Sequence, residues 1–364
     1  GGRPRSSSAQ SGAARGIRGA DYVVIAPPSM EAEAERLAAL RSRRGLKAAV
    51  ATTTAIYDDY SHGIATPHAL RTFLADALAR WKPAPRFVVL AGDGSLDYRN
   101  VRGHSDGLVP PLMADTAEGL APSDARLADV VGADGVPEVA IGRIPARDAL
   151  QLGAYVAKLE RAERAGGSPD ALLVADRPDG GGDFPGDSRI AGAILPAGLP
   201  AGEVSLAQAG LVGTRERVRA ALEGGAGFIH FFGHGGVDRL SREGVLTTAD
   251  VANLGANDHP PVVAAMTCVA ANFAIPGHPG IGEALVAHPS GGALAVWGPT
   301  ALELQPDSVA LTRAFLSAAY ASPGATVGEA ARVAAMAYAE RGGASAAAPA
   351  TFVVLGDPAV ELRR

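Results

Sequence analysis

The segment from Gly227 to Cys268, GFIHFFGHGGVDRLSREGVLTTADVANLGANDHPPVVAAMTC, decides the fold of this chain. Phe228–Phe232 and Val262–Met266 are apolar runs of strand length, and a short helical stretch, Thr248–Leu254, lies between them. Apolar strands separated by helices indicate βαβ units, whose strands run parallel and are covered on both faces.

The same rhythm extends in both directions. YVVIA (Tyr22–Ala26), KAAVAT (Lys47–Thr52), FVVLA (Phe87–Ala91), PEVAIGRIP (Pro137–Pro145), ALLVAD (Ala171–Asp176), GGALAVWG (Gly291–Gly298) and TFVVLGDP (Thr351–Pro358) all read as strands. Between them lie helical patterns: Met30–Gly45 closed by its glycine, residues 146–165, residues 187–195, a helix after Thr214, Ile281–His288, and residues 307–321 and 326–341. Thr66-Pro67 supplies an N-cap and a proline at the first helical position. Leu70, Phe73, Leu74, Ala77, Leu78 and Trp81 then form one apolar stripe. Val101–Gly135, scattered with Pro, Gly and Asp, reads as loop, and no fixed-period repeat occurs. The expectation is an α/β protein of two packed subdomains, 21–145 and 146–364, each with a mostly parallel sheet flanked by helices.

Composition narrows the function. Hydrophobic residues make up 47% and charged residues 20%, enough apolar material for a packed core and incompatible with a disordered chain. The net charge of −5 argues against nucleic acid or an anionic membrane as the main partner. No apolar run reaches membrane-spanning length. Residues 1–20 are polar, small and arginine-rich, lack the apolar core of a signal peptide, and read as a flexible arm. A chain opening on Gly1 reads as a fragment or processed product. There is one cysteine, Cys268, so an intrachain disulfide is impossible and the role of a solitary thiol becomes the question.

In open α/β sheets, ligands bind beyond the carboxyl ends of the strands. FIHFF runs into Gly233-His234-Gly235-Gly236, and VVAAM runs through Thr267 into Cys268. If the two strands are parallel neighbours, His234 and Cys268 emerge side by side. There an imidazole can serve as base or stabilise a thiolate. The Gly235 and Cys268 N–H groups are natural oxyanion donors. The blander alternatives are a small buried cysteine and an ordinary His-Gly-Gly turn.

These segments, in this order, resemble the gingipain-type, caspase-like cysteine peptidases. IYDDYSHGIATPHALRTFL, FVVLAGDGSLDYRN, APSDARLADV and PEVAIGRIP are similar to that family's first subdomain. FIHFFGHGGVDRL, LTTADVANL, PVVAAMTCVAANF, GEALV and GGALAVWG are similar to its catalytic core, and TFVVLGDPAVEL to its closing strand. The resemblance implies a cysteine endopeptidase with Cys268 as nucleophile and His234 as general base and acid, working through an acyl-enzyme on protein or peptide substrates. It implies a third carboxylate just after ALLVAD. The ungapped position there is Pro178, two residues after Asp176 and next to Asp179; the alternation of an extended segment favours Asp176, with Asp179 the alternative.

The resemblance also implies an acidic pocket residue for arginine or lysine before the scissile bond. The matching stretch GDSRI offers Asp187 and, at the ungapped position, Arg189. Asp187 would favour basic substrates, whereas Arg189 would repel them, and both have an ordinary reading as solvated charges at a helix start. No cofactor is required for this chemistry. Relatives carry structural calcium, which is compatible with the aspartates at 93, 97, 106, 115 and 124, although these also read as turn formers. Gly92–Ser95 lacks the lysine of a phosphate loop, and His230 and His234 have a metal-pair spacing suited to a helix rather than a strand. Relatives are mostly secreted or surface-bound, which sets the expected localisation. An arginine-cleaving enzyme could trim its own arm at Arg3, Arg5, Arg15 or Arg18. The competing reading is a catalytically idle caspase-like domain serving as a binding or scaffold module.

Overall fold

The computed structural model describes residues 13–104, 107–166 and 170–363. Ten strands form one sheet. In chain order they are β1 (Tyr22–Ala26), β2 (Ala48–Thr52), β3 (Phe87–Ala91), β6 (Ala140–Ile144), β7 (Ala171–Ala175), β8 (Ala201–Ser205), β9 (Phe228–Phe232), β13 (Val262–Met266), β14 (Ala295–Pro299) and β15 (Phe352–Gly356). The missing numbers belong to short strands outside it: the hairpin β4 (Leu112–Thr116) and β5 (Gly119–Ser123), and the ribbon β10 (Gly235–Gly236), β11 (Arg239–Leu240) and β12 (Leu246–Thr247). The main order is β2-β1-β3-β6-β15-β14-β13-β9-β7-β8. Pairing is parallel within β2-β1-β3-β6 and within β14-β13-β9-β7-β8, while β14 and β15 are antiparallel. Strands from residues 22–144 thus occupy one side of the sheet and those from 171–356 the other. They meet at a single bridging pair, Arg143 and Leu355.

The central strands are buried along their whole length, and only the edge strands β2 and β8 show partly exposed positions. That is why they read as continuous apolar runs rather than as alternating ones. The two-residue period still sorts their side chains. Tyr22 and Val24 of β1 join the core beneath helices Glu31–Arg43 and Ala149–Ala165, whereas Val23 and Ile25 join Phe73, Leu74 and Trp81 on the opposite face. Helix Pro67–Arg80 starts as its sequence requires, with Thr66 Oγ1 accepting from His68 N and proline at the first position.

At the seam, Arg143 is completely buried in the middle of an apolar strand. Its guanidinium is bidentate to Asp124 at 2.8 and 2.7 Å and donates to the carbonyls of Gly92 and Val109, both at 2.8 Å. It also lies over the Phe273 ring, 4.5 Å from its centre. One side chain therefore ties together loops from four parts of the chain.

Three differences from the sequence reading have local causes. The stretch read as loop contains the β4–β5 hairpin, whose residues LMADTAEGLAPS show no apolar alternation because its buried positions are the small or polar Ala114, Ala121, Pro122 and Ser123 while Leu120 faces water. The helix expected at 187–195 begins earlier, at Phe184, because Asp183 accepts from Gly186 N and acts as its cap. The arm expected at 1–20 is anchored over its last part: Ala14 and Ala20 are buried, and Arg15 binds Asp59 through both its backbone N–H and its guanidinium. Arg18 donates to the Arg15 carbonyl. Residues 1–12, with Arg3 and Arg5, lie outside the described residues. Among the described residues, no helix is long and apolar enough to cross a membrane.

Candidate active site

Three parallel neighbours deliver the site. Ala175 of β7 pairs with Phe232 of β9, which pairs with Met266 of β13. The ladder runs one step further, with Asp176 N donating to the Phe232 carbonyl and Gly233 N to that of Met266. His234 and Cys268 each follow by two residues a position already in register, so the two chains leave the sheet side by side. Close packing here demands glycine. A side chain at Gly233 would collide with Asp176, and one at Gly235 with Thr267.

The turn at Cys268 is strained. Val269, immediately after it, has φ +50°, a left-handed conformation that costs a β-branched residue about 1–3 kcal/mol. The surroundings hold it there: Val269 N donates to the Ala301 carbonyl at 3.0 Å, and Asn272 Nδ2 to that of Thr300 at 2.9 Å. Among the described residues the Cys268 N–H has no acceptor, which leaves it available to an incoming oxygen. Gly235 opens the short strand β10, paired with β11.

The His234 ring is partly buried, with Phe184 edge-on to it at 5.2 Å. Its Nε2 lies 2.9 Å from Asp179 Oδ2. Asp179 is held in turn by a reciprocal backbone pair with Gly182 and by a 2.7 Å bond from Gly181 N to its Oδ1. That N–H, followed by the imidazole, keeps the Asp179 carboxyl below its ordinary range. Asp176 is buried and does not reach the ring. It accepts from the main-chain N–H groups of Arg177 at 2.8 Å and His234 at 3.2 Å. Of the two carboxylates read from the sequence, Asp179 is hydrogen-bonded to the imidazole and Asp176 to the main-chain N–H of the same residue.

Cys268 is half-buried. Its Sγ–H donates to the Glu303 carbonyl at 3.9 Å, and among the described residues no hydrogen bond joins Sγ to the imidazole. Burial pushes the thiol up, the charges of Glu303 and Glu118 push the same way, and Arg242 and the carbonyl contact oppose them. Asp187 and Arg189 share helix Phe184–Gly192 but face differently. Asp187 is buried and accepts from Gln305 Nε2 at 2.6 Å, with burial raising its carboxyl; Arg189 is exposed.

His230 sits inside β9, completely buried, with Nε2 3.3 Å from Thr312 Oγ1, and that burial depresses it to about 3. Of the aspartates expected near a calcium, Asp97 accepts from Val101 N and Arg102 N and Asp124 binds Arg143; Asp106 lies outside the described residues. Among the described residues, no group of three or more His, Cys, Asp or Glu is placed to hold a metal. In Gly92–Ser95, Gly94 packs against Phe273 and Arg143, making the loop part of the seam.

The segment Thr300–Gln305 was missed in the sequence, although it follows β14, the next strand beside β13. The rule that pointed to the ends of β9 and β13 applies equally there.

The model of peptidase family C25 matches residues 17–363. Among solved structures, the Arg-specific cysteine proteinase gingipain R has TM-score 0.78 at 18% identity, over 95% of this chain and 78% of that one. The complex of the Porphyromonas gingivalis RgpB pro- and mature domains has TM-score 0.78 at 19% identity, over 94% and 79%. A further structure described as a protease has TM-score 0.74 at 16% identity, over 95% and 78%. These likenesses establish a shared gingipain-like α/β fold. No curated protein sequence matches the chain.

Proposed function

Because the chain belongs to peptidase family C25, we propose that it is an active cysteine endopeptidase in which Cys268 attacks the peptide carbonyl and His234 moves the proton. The observation that carries this reading is the shared register that places His234 and Cys268 at equivalent positions beyond adjacent strands, with Asp179 on the imidazole.

In this mechanism the Asp179 bond fixes the neutral ring with its proton on Nε2, leaving Nδ1 as the base. Substrate entry draws the Sγ proton away from the Glu303 carbonyl and onto Nδ1, in keeping with the loose contacts of unliganded catalytic sites. The thiolate adds to the carbonyl carbon, and the oxyanion rests on the Cys268 and Gly235 N–H groups. The imidazolium then protonates the leaving amine. In the second half, the ring takes a proton from water, which adds to the thioester and releases the acid. Against the scaffold alternative stands the Asp179 carboxylate within hydrogen-bond distance of the imidazole, which supports an oriented base.

For the residue before the scissile bond, Asp187 is the better pocket candidate. It lies one turn from Phe184, which touches the His234 ring, whereas Arg189 points into solvent. Basic residues are therefore the expected preference. A peptide library incubated with wild type should be cut after arginine or lysine, and Cys268→Ala should leave it intact. Equal cleavage by Cys268→Ala would refute the assignment.

The two carboxylates separate by what they disturb. Asp179→Asn should lower kcat/KM by about 10- to 100-fold with little effect on thermal stability, because the loss falls on ring orientation at a half-exposed group. Asp176→Asn should cost about 1–2 kcal/mol of stability, because buried backbone donors lose a charged acceptor. Paired kinetic and thermal-unfolding measurements distinguish them, and a reversed pattern would exchange their roles.

A further inference from the structure

Glu303 reverses the usual rule of burial. Its neighbours Leu302 and Leu304 are 53% and 55% exposed, while its own half-buried side chain turns its Oε2 inward. Two leucines in water around an acid with an inward-turned oxygen is a costly arrangement that packing alone does not explain. The carboxyl is anchored at one oxygen, Oε1, by a 2.8 Å bond from Thr351 Oγ1. Its second oxygen, Oε2, is buried without a partner. The backbone carbonyl of the same residue accepts the Cys268 thiol. The loop is clamped from three directions. Thr300 N donates to the Thr351 carbonyl at 2.9 Å, Thr300 Oγ1 donates to that of Pro122 at 2.7 Å, and Asn272 Nδ2 and Val269 N hold it from the Cys268 side.

We propose that Glu303 is a positioning residue that keeps Cys268 a neutral thiol in the free enzyme and makes its ionisation depend on the charge of this one buried carboxyl. The proposal rests on Cys268 being the nucleophile and adds a regulation of that same site. Two anions in one poorly hydrated loop disfavour each other, so a charged Glu303 opposes the thiolate and a protonated Glu303 does not. Burial, the largest influence, pushes the Glu303 carboxyl up to about 7, and the Thr351 bond pulls it down. The charges around it push it up as well: Asp307 from helix Gln305–Ala319 and Glu118 from the β4–β5 turn. At Cys268 the opposing influences are the contact with the Glu303 carbonyl and, after it, Arg242; His234 lies beside it, two residues past the Phe232–Met266 pair.

The test is the rate of Cys268 alkylation by iodoacetamide between pH 5 and 10, followed by intact mass. Glu303→Gln keeps the acceptor for Thr351 and the backbone carbonyl and removes only the charge. Its alkylation midpoint should fall by about one pH unit. Wild type should rise over a broader range than Glu303→Gln, because one more group titrates with the thiol. Identical midpoints in the two proteins would overturn the proposal. If Glu303→Gln does not fold, the profile of His234→Ala, which removes the other titrating neighbour, decides, and a one-proton curve there would overturn the proposal. An unshifted midpoint in an enzyme that still cuts peptides would leave the peptidase reading intact. A shifted midpoint in a chain that cuts nothing would leave the coupling and remove the peptidase.

Discussion

His234→Ala is expected to lower kcat/KM by about 10³- to 10⁴-fold on the peptide that wild type cuts fastest, while the thermal midpoint hardly moves. The size follows from the role. Without an imidazole, the Sγ proton has no acceptor but a carbonyl, and the leaving amine has no acid. The stability expectation follows from the geometry. The bond that fixes this turn runs from the His234 main-chain N–H to Asp176 and survives truncation to alanine. The side chain loses only the Asp179 contact, at a half-exposed carboxylate, and the edge of Phe184. A fall in activity matched by a comparable fall in stability would mean that the ring holds the fold rather than moves protons.

The second large effect lies at the seam. Arg143→Met should reduce unfolding free energy by about 3–5 kcal/mol, because it leaves Asp124 charged, buried and unpaired. It also strips two buried carbonyls, Gly92 and Val109, of their donor. The double variant Arg143→Met/Asp124→Leu should recover a large part of the loss, since removing both charges removes the desolvation cost with them. Urea unfolding of the three proteins checks this; equal stability of the single and double variants would contradict it. Activity should fall with the single variant too. Phe273 packs under the guanidinium five residues after Cys268, and the neighbouring Ala274 carbonyl accepts from Leu96 N.

The fold was largely legible because its strands are buried on both faces and so appear as uninterrupted apolar runs. The placement of His234 and Cys268 was legible for a related reason: both end such runs, and parallel register needs no long-range information beyond adjacency. Legibility stopped where regular structure stops. The two-residue alternation favoured Asp176 as the carboxylate for the ring, but the chain leaves its strand there and turns. The Asp179–Gly182 pair then brings Asp179 onto the ring instead. The β4–β5 hairpin was hidden because it buries alanine, proline and serine and exposes Leu120, so no apolar alternation marks it. Glu303 was hidden because its pattern is inverted, with leucines outward and the acid inward. Arg143 did leave a signal, an arginine inside AIGRI, and only the structure shows the four loops it joins.

The central claim is that Cys268 is a nucleophile activated within a peptide-binding site. The most direct measurement is intact mass and peptide mapping after incubation with peptidyl acyloxymethyl ketones carrying arginine, aspartate or leucine next to the reactive carbonyl. One adduct per chain, located on Cys268, fastest with arginine and lost in Cys268→Ala, is the predicted result. No adduct with any of the three, or an adduct that persists in Cys268→Ala, would contradict the account.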